Sequence, residues 1–221
     1  MVKGKEFELE FKSPILRSKE KQQVELLLQF LESTKNYCVC IVDLVGSTSI
    51  AMGMSNEKIS TYYGVFLNLM AKIASSFDAT IVKNIGDSLL YYFPKTDSES
   101  RESFKDVLEC STTMIQMRPE INARMHNDGL PDVNYRISCE FGSVIVAKMS
   151  TSSVNDIFGN CVNLCSKINL LASPNSIIIG KGLYEQTKLF DKYIFTEINC
   201  EQLSLGKDYQ VYSVFTRDIQ S

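Results

Sequence analysis

The sequence lacks the features that would place it in several large classes of protein. Its 221 residues include a single histidine, His126, and its seven cysteines do not have zinc-ribbon spacing, so we expect no structural zinc site. No apolar run approaches the ~18 residues that span a bilayer, and the amino terminus does not resemble a signal peptide. A net charge of -3 gives no electrostatic reason for binding nucleic acid or an anionic membrane. We therefore expect a soluble, cytoplasmic protein whose thiols are reduced and buried.

Hydrophobic residues are plentiful, at 44% of the chain, which is enough to bury a substantial core. We predict two regions, an amino-terminal extension over residues 1–36 and one compact domain over residues 37–221. In the extension, alternation over Phe7–Phe11 predicts a strand. A helix is predicted to begin at Ser18, with an apolar face formed by Val24, Leu27, Leu28 and Leu31.

The larger region alternates between strand and helix patterns. Apolar runs and period-two alternation predict strands over residues 37–42, 80–85, 89–93, 177–179 and 210–215, and a further hairpin from 136–140 and 144–148 around Gly142. Apolar steps of three and four residues predict helices near residues 59–73, 104–115, 159–170 and 183. The order β-α-α-β-β-α-β predicts an α+β, ferredoxin-like sheet with helices on one face and extra carboxyl-terminal elements. The other sheet face would be bare, which indicates a partner.

Two aspartates lie at strand ends in this arrangement. Asp43 ends the first strand, and Asp87 occupies the tip of the adjacent hairpin. Because neighbouring strands lie about 5 Å apart, both carboxylates can reach the same pair of hard cations. The alternative is that Asp43 caps a helix and Asp87 only forms a turn. A seat for a β,γ-phosphate group is expected from the backbone N–H groups that follow Asp43, those of Leu44, Val45, Gly46, Ser47 and Thr48.

A lysine on a central strand is a second unusual feature. In a regular strand Lys83 shares a face with Ile81 and Ile85, and a lysine among apolar neighbours needs a partner. Asp156 can supply one, and the pair can then read adenine, which presents an acceptor at N1 and a donor at its exocyclic amine. Guanine reverses both polarities and would leave the pair unsatisfied. The alternative is a plain salt bridge or two solvated charges.

Asn163 and Lys167 are one helical turn apart, so they project from the same helix face. They can contact the ribose ring oxygen and the α-phosphate of a nucleotide, respectively. Asp156 immediately precedes this helix. The alternative is an exposed polar stripe of the kind common on surface helices.

Three segments carry a resemblance to a known family. They are Val42-Asp43-Leu44-Val45-Gly46-Ser47-Thr48, Lys83-x-x-Gly86-Asp87-Ser88, and Asp156-Ile157-Phe158-Gly159-x-x-Val162-Asn163-x-x-Ser166-Lys167. In their order and spacing they resemble the signature segments of the class III nucleotidyl cyclases, the adenylate and guanylate cyclases. The resemblance extends over residues 37–215. It implies that residues 37–221 form a catalytic domain that converts ATP to 3′,5′-cyclic AMP and pyrophosphate.

The resemblance also implies roles for individual residues. Asp43 and Asp87 would bind two divalent metal ions, Mg²⁺ or Mn²⁺, which acidify the ribose 3′-hydroxyl and clamp the phosphates. Lys83 and Asp156 would select adenine, where guanylate cyclases usually carry Glu and Cys. Asn163 would orient the ribose. Family members are head-to-tail dimers with sites at the interface, which implies a homodimer here.

The sequence departs from the family pattern at position 167. Lys167 stands where the family carries arginine, and lysine lacks the planar fork that contacts phosphate oxygens bidentately. We predict that Lys167 still stabilises charge on the α-phosphate, with slower turnover. A second phosphate-binding lysine usually precedes the last strand, and Lys207 is the nearest candidate.

Two alternative functions stay open. One is a weak or inactive cyclase-like module that binds nucleotide and signals through its dimer interface, and its support is the departure at Lys167. The other is a cyclase for a different nucleotide, because members of the family that cyclise pyrimidine nucleotides exist, and GTP is a further possibility.

Overall fold

The computed structural model describes residues 28–149, 153–200 and 209–217. The strand predicted over residues 7–11, the predicted helix start at Ser18 and the candidate Lys207 lie outside these ranges. Within them, no helix is both long enough and apolar enough to cross a membrane. The boundary at residues 36 and 37 stays a prediction, and a single strand runs continuously across it.

The described residues form eight strands and six α-helices. The strands are β1 (Leu28–Leu44), β2 (Thr80–Ile85), β3 (Ser88–Phe93), β4 (Tyr135–Met149), β5 (Asp156–Phe158), β6 (Ile177–Gly180), β7 (Tyr193–Ile198) and β8 (Val211–Thr216). The helices are α1 (Ser47–Ala51), α2 (Asn56–Ser76), α3 (Arg101–Gln116), α4 (Arg118–Asn127), α5 (Asn160–Asn169) and α6 (Lys181–Thr187), and a 3-10 helix covers Pro94–Ser98. Serine caps begin the two longest helices, because the side chains of Ser55 and Ser100 accept backbone N–H groups from the first turn of α2 and α3.

All eight strands join one sheet in the order β2-β3-β1-β4-β6-β8-β7, with β5 paired to β4. The pairing of β4 with β6 is parallel, and the other neighbours are antiparallel. Strand β1 therefore lies between β3 and β4 near the centre of the sheet. This arrangement confirms the predicted α+β class.

Strands β1 and β4 are longer than the sequence pattern predicted. The hairpin predicted around Gly142 is wrong, because β4 is one continuous strand that pairs with β1 from Leu44 opposite Tyr135 to Leu28 opposite Met149. The predicted helix is also wrong where it enters the described residues, since Leu28 and Leu31 belong to β1. In both places long-range pairing between the two strands overrides the local pattern.

The sheet is covered on both faces, unlike the one-sided arrangement that the sequence predicted. On β1, Cys38, Cys40 and Val42 face the core that contains α2 and α3. The alternate residues Val39 and Ile41 face the opposite side, where they pack with Val144, Val146, Cys161 and Cys165. Because Cys161 and Cys165 belong to α5, this helix covers the face that was predicted to be bare.

Candidate active site

Asp43 lies near the carboxyl end of β1, between one residue of β3 and one of β4. Its Cα partners in the sheet are Ser88 and Arg136. The Ser88 hydroxyl donates to Oδ1 of Asp43, and Nε and Nη2 of Arg136 both lie 2.9 Å from Oδ2. The two neighbouring strands therefore fix the orientation of the Asp43 carboxylate, and Arg136 balances its charge.

Asp87 lies in the two-residue turn that joins β2 to β3. Gly86 precedes it with a φ of 63°, a left-handed conformation that glycine adopts at little cost. The Ser47 hydroxyl, from the first residue of α1, donates to Oδ2 of Asp87. Because Ser88 follows Asp87 and pairs with Asp43, the two carboxylates lie at the same end of adjacent strands.

The segment expected to seat phosphate stays a prediction, and the structure shows that one of its N–H groups is already used. Leu44 is buried in the core, and the N–H group of Val45 already donates to the Asn134 carbonyl at 2.7 Å. Gly46 has a φ of 75° and turns the chain into α1. The first N–H groups of a helix have no acceptor within it, so those of Ser47 and Thr48 are not used by the helix itself. The phosphate seat is therefore expected from Gly46, Ser47 and Thr48.

Lys83 and Asp156 form an ion pair within a single chain. The Lys83 ammonium group donates to Oδ2 of Asp156, and the Ile157 N–H group donates to Oδ1 at 2.9 Å. The Asp156 side chain is 5% exposed, whereas that of Lys83 is 45% exposed. The carboxylate is thus fixed from two sides, while the lysine is open to a ligand.

A bulge in β2 determines where Lys83 points. Ile81 is opposite Tyr91 and Lys83 is opposite Leu90, so Val82 has no partner of its own. Tyr91 belongs to the core beneath α2 and α3, and Leu90 belongs to the face covered by α5. Because paired residues share a face, Lys83 lies on the α5 side and does not share a face with Ile81, which corrects the regular-strand prediction.

Helix α5 presents Asn163 and Lys167 to solvent. Three side chains on its other face bond to carbonyls of the sheet: Cys161 to Glu140 at 3.3 Å, Cys165 to Val39 at 3.2 Å and Asn169 to Ile41 at 3.3 Å. Asn163 and Lys167 are both exposed. Among the described residues, neither of these two side chains has a hydrogen-bond or ion-pair partner. They are therefore free to meet a nucleotide or a second chain.

The structure divides the predicted site residues into two groups. Asp43, Asp87 and the segment before α1 form one group, and the Lys83–Asp156 pair is the core of the other. Across the described ranges, no hydrogen bond or ion pair joins a member of one group to a member of the other.

Sequence reasoning missed three side chains that contact the carboxylates. The sequence predicts only a backbone role for Ser47 in the phosphate seat, places Ser88 in a motif without a role, and places Arg136 in a strand without a role. The contact between Arg136 and Asp43 could not be predicted from local sequence, because the pairing of β1 with β4 brings together residues 93 positions apart. The two serines belong to the signature segments themselves, so the sequence already indicated that their hydroxyl groups lie near the aspartates.

The comparison with known proteins decides the family. Residues 30–215 match the family model of the adenylate and guanylate cyclase catalytic domain. The chain belongs to the class III nucleotidyl cyclases. The sequence-based recognition of this family is confirmed.

Relatives of this cyclase differ in the nucleotide that their names specify. The cytidylate cyclase of Staphylococcus aureus is 25% identical over 172 residues, which cover 74% of this chain and 41% of that protein. The adenylate cyclase of Streptomyces coelicolor is 22% identical over 152 residues, which cover 69% of this chain and 34% of that protein. The cyclase thus spans less than half the length of these curated relatives.

A solved structure confirms the cyclase fold. The crystal structure of the adenylyl cyclase CyaB from P. aeruginosa matches with a TM-score of 0.73 at 21% identity. The match covers 89% of this chain and 100% of that chain. At this level of identity the likeness concerns the fold and does not specify the nucleotide.

The carboxylates of the cyclase fit the divalent metal ions that the family generally uses. The described residues hold no group of three or more His, Cys, Asp and Glu side chains placed to surround a metal ion. Mg²⁺ commonly takes one or two protein carboxylates and completes its shell with substrate phosphates and water. Asp43 and Asp87 supply two carboxylates at adjacent strand ends, and their hard oxygens suit Mg²⁺ or Mn²⁺.

Proposed function

We propose that this cyclase converts ATP to 3′,5′-cyclic AMP and pyrophosphate. The ribose 3′-oxygen forms a bond to the α-phosphorus, and the bond from that phosphorus to the oxygen bridging to the β-phosphate breaks. Pyrophosphate leaves with the electron pair, and the proton of the 3′-hydroxyl passes to solvent. The observation that supports a base with a ring acceptor beside an exocyclic amine, as in adenine, is the ion pair between Lys83 and Asp156.

The donor and acceptor in this pair complement a base that carries an exocyclic amine. Lys83 donates to the ring nitrogen, and Asp156 accepts from the amine through lone pairs that its two present contacts leave free. Guanine and uracil present the opposite polarities at these positions, so a buried Asp156 would face an acceptor. Such a mismatch costs about 1–3 kcal/mol for each unsatisfied group.

CTP is the second candidate substrate. Cytosine presents a ring acceptor and an exocyclic amine in the same order as adenine, so Lys83 and Asp156 complement both bases. The family relationship favours testing CTP as a substrate, because one relative at 25% identity is named a cytidylate cyclase. Adenine and cytosine differ in ring size, and the 45% exposure of the Lys83 side chain leaves room for the larger base.

The remaining residues would bind the sugar and the phosphates. Asp43 and Asp87 would hold two Mg²⁺ or Mn²⁺ ions, which when bound acidify the 3′-hydroxyl and neutralise the triphosphate. Asn163 would orient the ribose through its ring oxygen, and Lys167 would offset the charge that develops on the α-phosphate. The N–H groups of Gly46, Ser47 and Thr48 would contact the β- and γ-phosphates, and Lys207 stays a further candidate for this role.

We propose that the cyclase works as a head-to-tail homodimer with two equivalent sites. One chain would contribute the metal carboxylates, and its partner would contribute Lys83, Asp156, Asn163 and Lys167. The exposure of Asn163 and Lys167, and their lack of partners in the described parts of the chain, support this arrangement. A second copy would also cover the sheet surface beside α5.

A product assay tests the proposal. Purified protein is incubated with Mn²⁺ and each of ATP, GTP, CTP and UTP, and the products are identified by mass spectrometry. We expect cyclic AMP, and we expect Asp87→Ala to abolish it. Formation of cyclic CMP alone would identify CTP, the second candidate, as the substrate in place of ATP. No cyclic product at concentrations that support dimers would favour a nucleotide-binding module instead.

A further inference from the structure

Glu140 is a buried carboxyl group that the proposed chemistry does not use. It lies on β4 and is 3% exposed. The Tyr209 hydroxyl donates to its Oε2 at 2.7 Å, and the Gly182 N–H group donates to its Oε1 at 3.0 Å. The carboxyl group therefore joins three elements: the central strand β4, the first turn of α6 and the residues that lead into β8.

The packing around this carboxyl group requires glycine at two positions. A Cβ atom on Gly180 would lie 1.6 Å from Oε2 of Glu140 and 2.1 Å from the Tyr209 hydroxyl. A Cβ atom on Gly182 would lie 2.4 Å from Oε1 and 2.1 Å from the Phe141 carbonyl oxygen. The chain thus forms a close-fitting seat for the Glu140 side chain.

The seat of Glu140 is connected to the helix that carries nucleotide-binding residues. The Cys161 thiol donates to the Glu140 carbonyl oxygen at 3.3 Å. Cys161 lies in the first turn of α5, two residues before Asn163. This bond connects β4 at Glu140 directly to the start of α5.

Glu140 is the group in this cluster that changes charge near neutral pH. Burial raises the pKa of Glu140 to about 7, although the bonds from Tyr209 and Gly182 favour the ionised form. Burial also raises the pKa of the Cys161 and Tyr209 side chains, so both stay neutral. Among the described residues, the other titratable groups nearby are Cys38 of β1, whose pKa burial raises to about 11, Cys165 of α5, whose pKa burial also raises, and Lys181, which precedes Gly182 in α6.

We propose that Glu140 is a positioning residue whose protonated carboxyl group holds α6 and the start of β8 against β4. Ionisation places a charge at this buried position, and the bonds from Tyr209 and Gly182 offset only part of the cost of desolvating it, so the packing beneath α5 is weakened. The orientation of Asn163 is then less well fixed, and turnover falls. The effect on turnover rests on the proposed cyclase function, whereas the effect on packing does not.

The direction of the stability change follows from linkage. The folded-state pKa of about 7 lies above the value of 4.5 for an unburied glutamate. Glu140 therefore contributes stability that is fully present below the unfolded value and is lost as the pH rises through about 7. For a chain of this size, the loss between about pH 6 and pH 8 corresponds to a fall of roughly 3 °C in melting temperature.

The test compares the wild-type protein with E140Q, which keeps the shape and an acceptor but cannot ionise. We expect the melting temperature of the wild type to fall more than that of E140Q between about pH 6 and pH 8. The ratio of wild-type to E140Q kcat should decline over the same range with a midpoint near 7. Y209F removes a bond that favours the ionised form of Glu140. In this variant, the fall in melting temperature and the decline in kcat should therefore both occur at higher pH than in the wild type.

These results separate failure of the positioning role from failure of the proposed function. If the melting temperatures of the wild type and E140Q change equally with pH, the role of Glu140 is overturned, whether or not cyclic product forms. A pH-dependent melting difference without any cyclic product would support the packing role and contradict the cyclase proposal. If E140Q does not fold, Y209F still provides a test. The inference is overturned if the melting temperature of Y209F falls with pH at the same midpoint as that of the wild type.

Discussion

The Lys83 ammonium group reaches the Asp156 carboxylate because β2 bulges at Val82. Without the bulge, Lys83 would face the core beneath α2 and α3, where a charged group has no partner. With it, the lysine lies on the side of the sheet that α5 covers. A single extra residue in one strand therefore creates the pair that we propose reads the base.

Exchanging this pair should change the base that the enzyme accepts. K83E/D156C places at these positions the residues that guanylate cyclases usually carry. We expect kcat/KM for ATP to fall by about a hundredfold or more, with a gain for GTP, because the amine of adenine loses its acceptor. Activity is measured with each nucleotide separately.

Lys105 offers a matched control for the base-reading pair. Its side chain is 46% exposed and pairs with Glu102 on the surface of α3, so it resembles Lys83 in exposure but lies outside the site. K105E should leave nucleotide preference unchanged. An unaltered preference in K83E/D156C, or an equal change in K105E, would contradict the proposed base reading.

The sequence identified the site chemistry better than the strand pairings. Gly86-Asp87 and the Asn163–Lys167 spacing are local patterns, so their turn and helix could be predicted directly. The continuity of β4 through Gly142 depends on pairing with β1, about a hundred residues earlier, and no local pattern reveals it. For the same reason the contact of Arg136 with Asp43 was not predicted.

Helix α4 and strand β7, two of the elements that were not predicted, were missed for a different reason. Helix α4 buries only Ile121, Asn122 and Met125, so its apolar pattern is too sparse to indicate a helix. Strand β7 lies at the edge of the sheet with alternating but weak burial, and it was not predicted. Both elements lie away from the signature segments, so their omission did not affect the site prediction.

Removing Arg136 should weaken the fold and lower turnover. The Arg136 and Asp43 side chains are 21% and 16% exposed, so R136M leaves a largely buried carboxylate without its partner. We expect a loss of about 2 kcal/mol in the free energy of unfolding, measured with urea, and a lower kcat from a misoriented Asp43.

The ion pair between Arg124 and Asp128 provides the comparison for Arg136. The Arg124 side chain is 65% exposed, so R124M should change stability little. Equal stability of R136M and R124M would show that Asp43 does not depend on Arg136 for its placement.

Restoring the family arginine at position 167 should speed turnover. K167R supplies a planar fork that contacts two phosphate oxygens at once, which should raise kcat several-fold with little change in KM. Steady-state kinetics with the preferred nucleotide measure this, and K188R on the surface serves as the control. A kcat for K167R at or below that of the wild type would contradict the role given to Lys167.

The close fit around Glu140 predicts opposite effects for two glycine substitutions. G180A places a Cβ atom where Glu140 and Tyr209 already lie, so it should destabilise the protein by about 2 kcal/mol or more. G64A lies in helix α2 with no atom within 4 Å of the added Cβ, and it should be neutral or stabilise by up to ~1 kcal/mol. Similar melting temperatures for the two variants would contradict the described packing.

We propose that each active site takes its metal carboxylates from one chain and its ribose- and base-binding residues from the other. Mixing two inactive variants, D87A and N163A, tests it most directly. Random exchange of subunits makes half of the dimers mixed, and each mixed dimer has one intact site, so about one quarter of wild-type activity should return. Activity that stays at the level of the separate variants, despite demonstrated subunit exchange, would contradict the account.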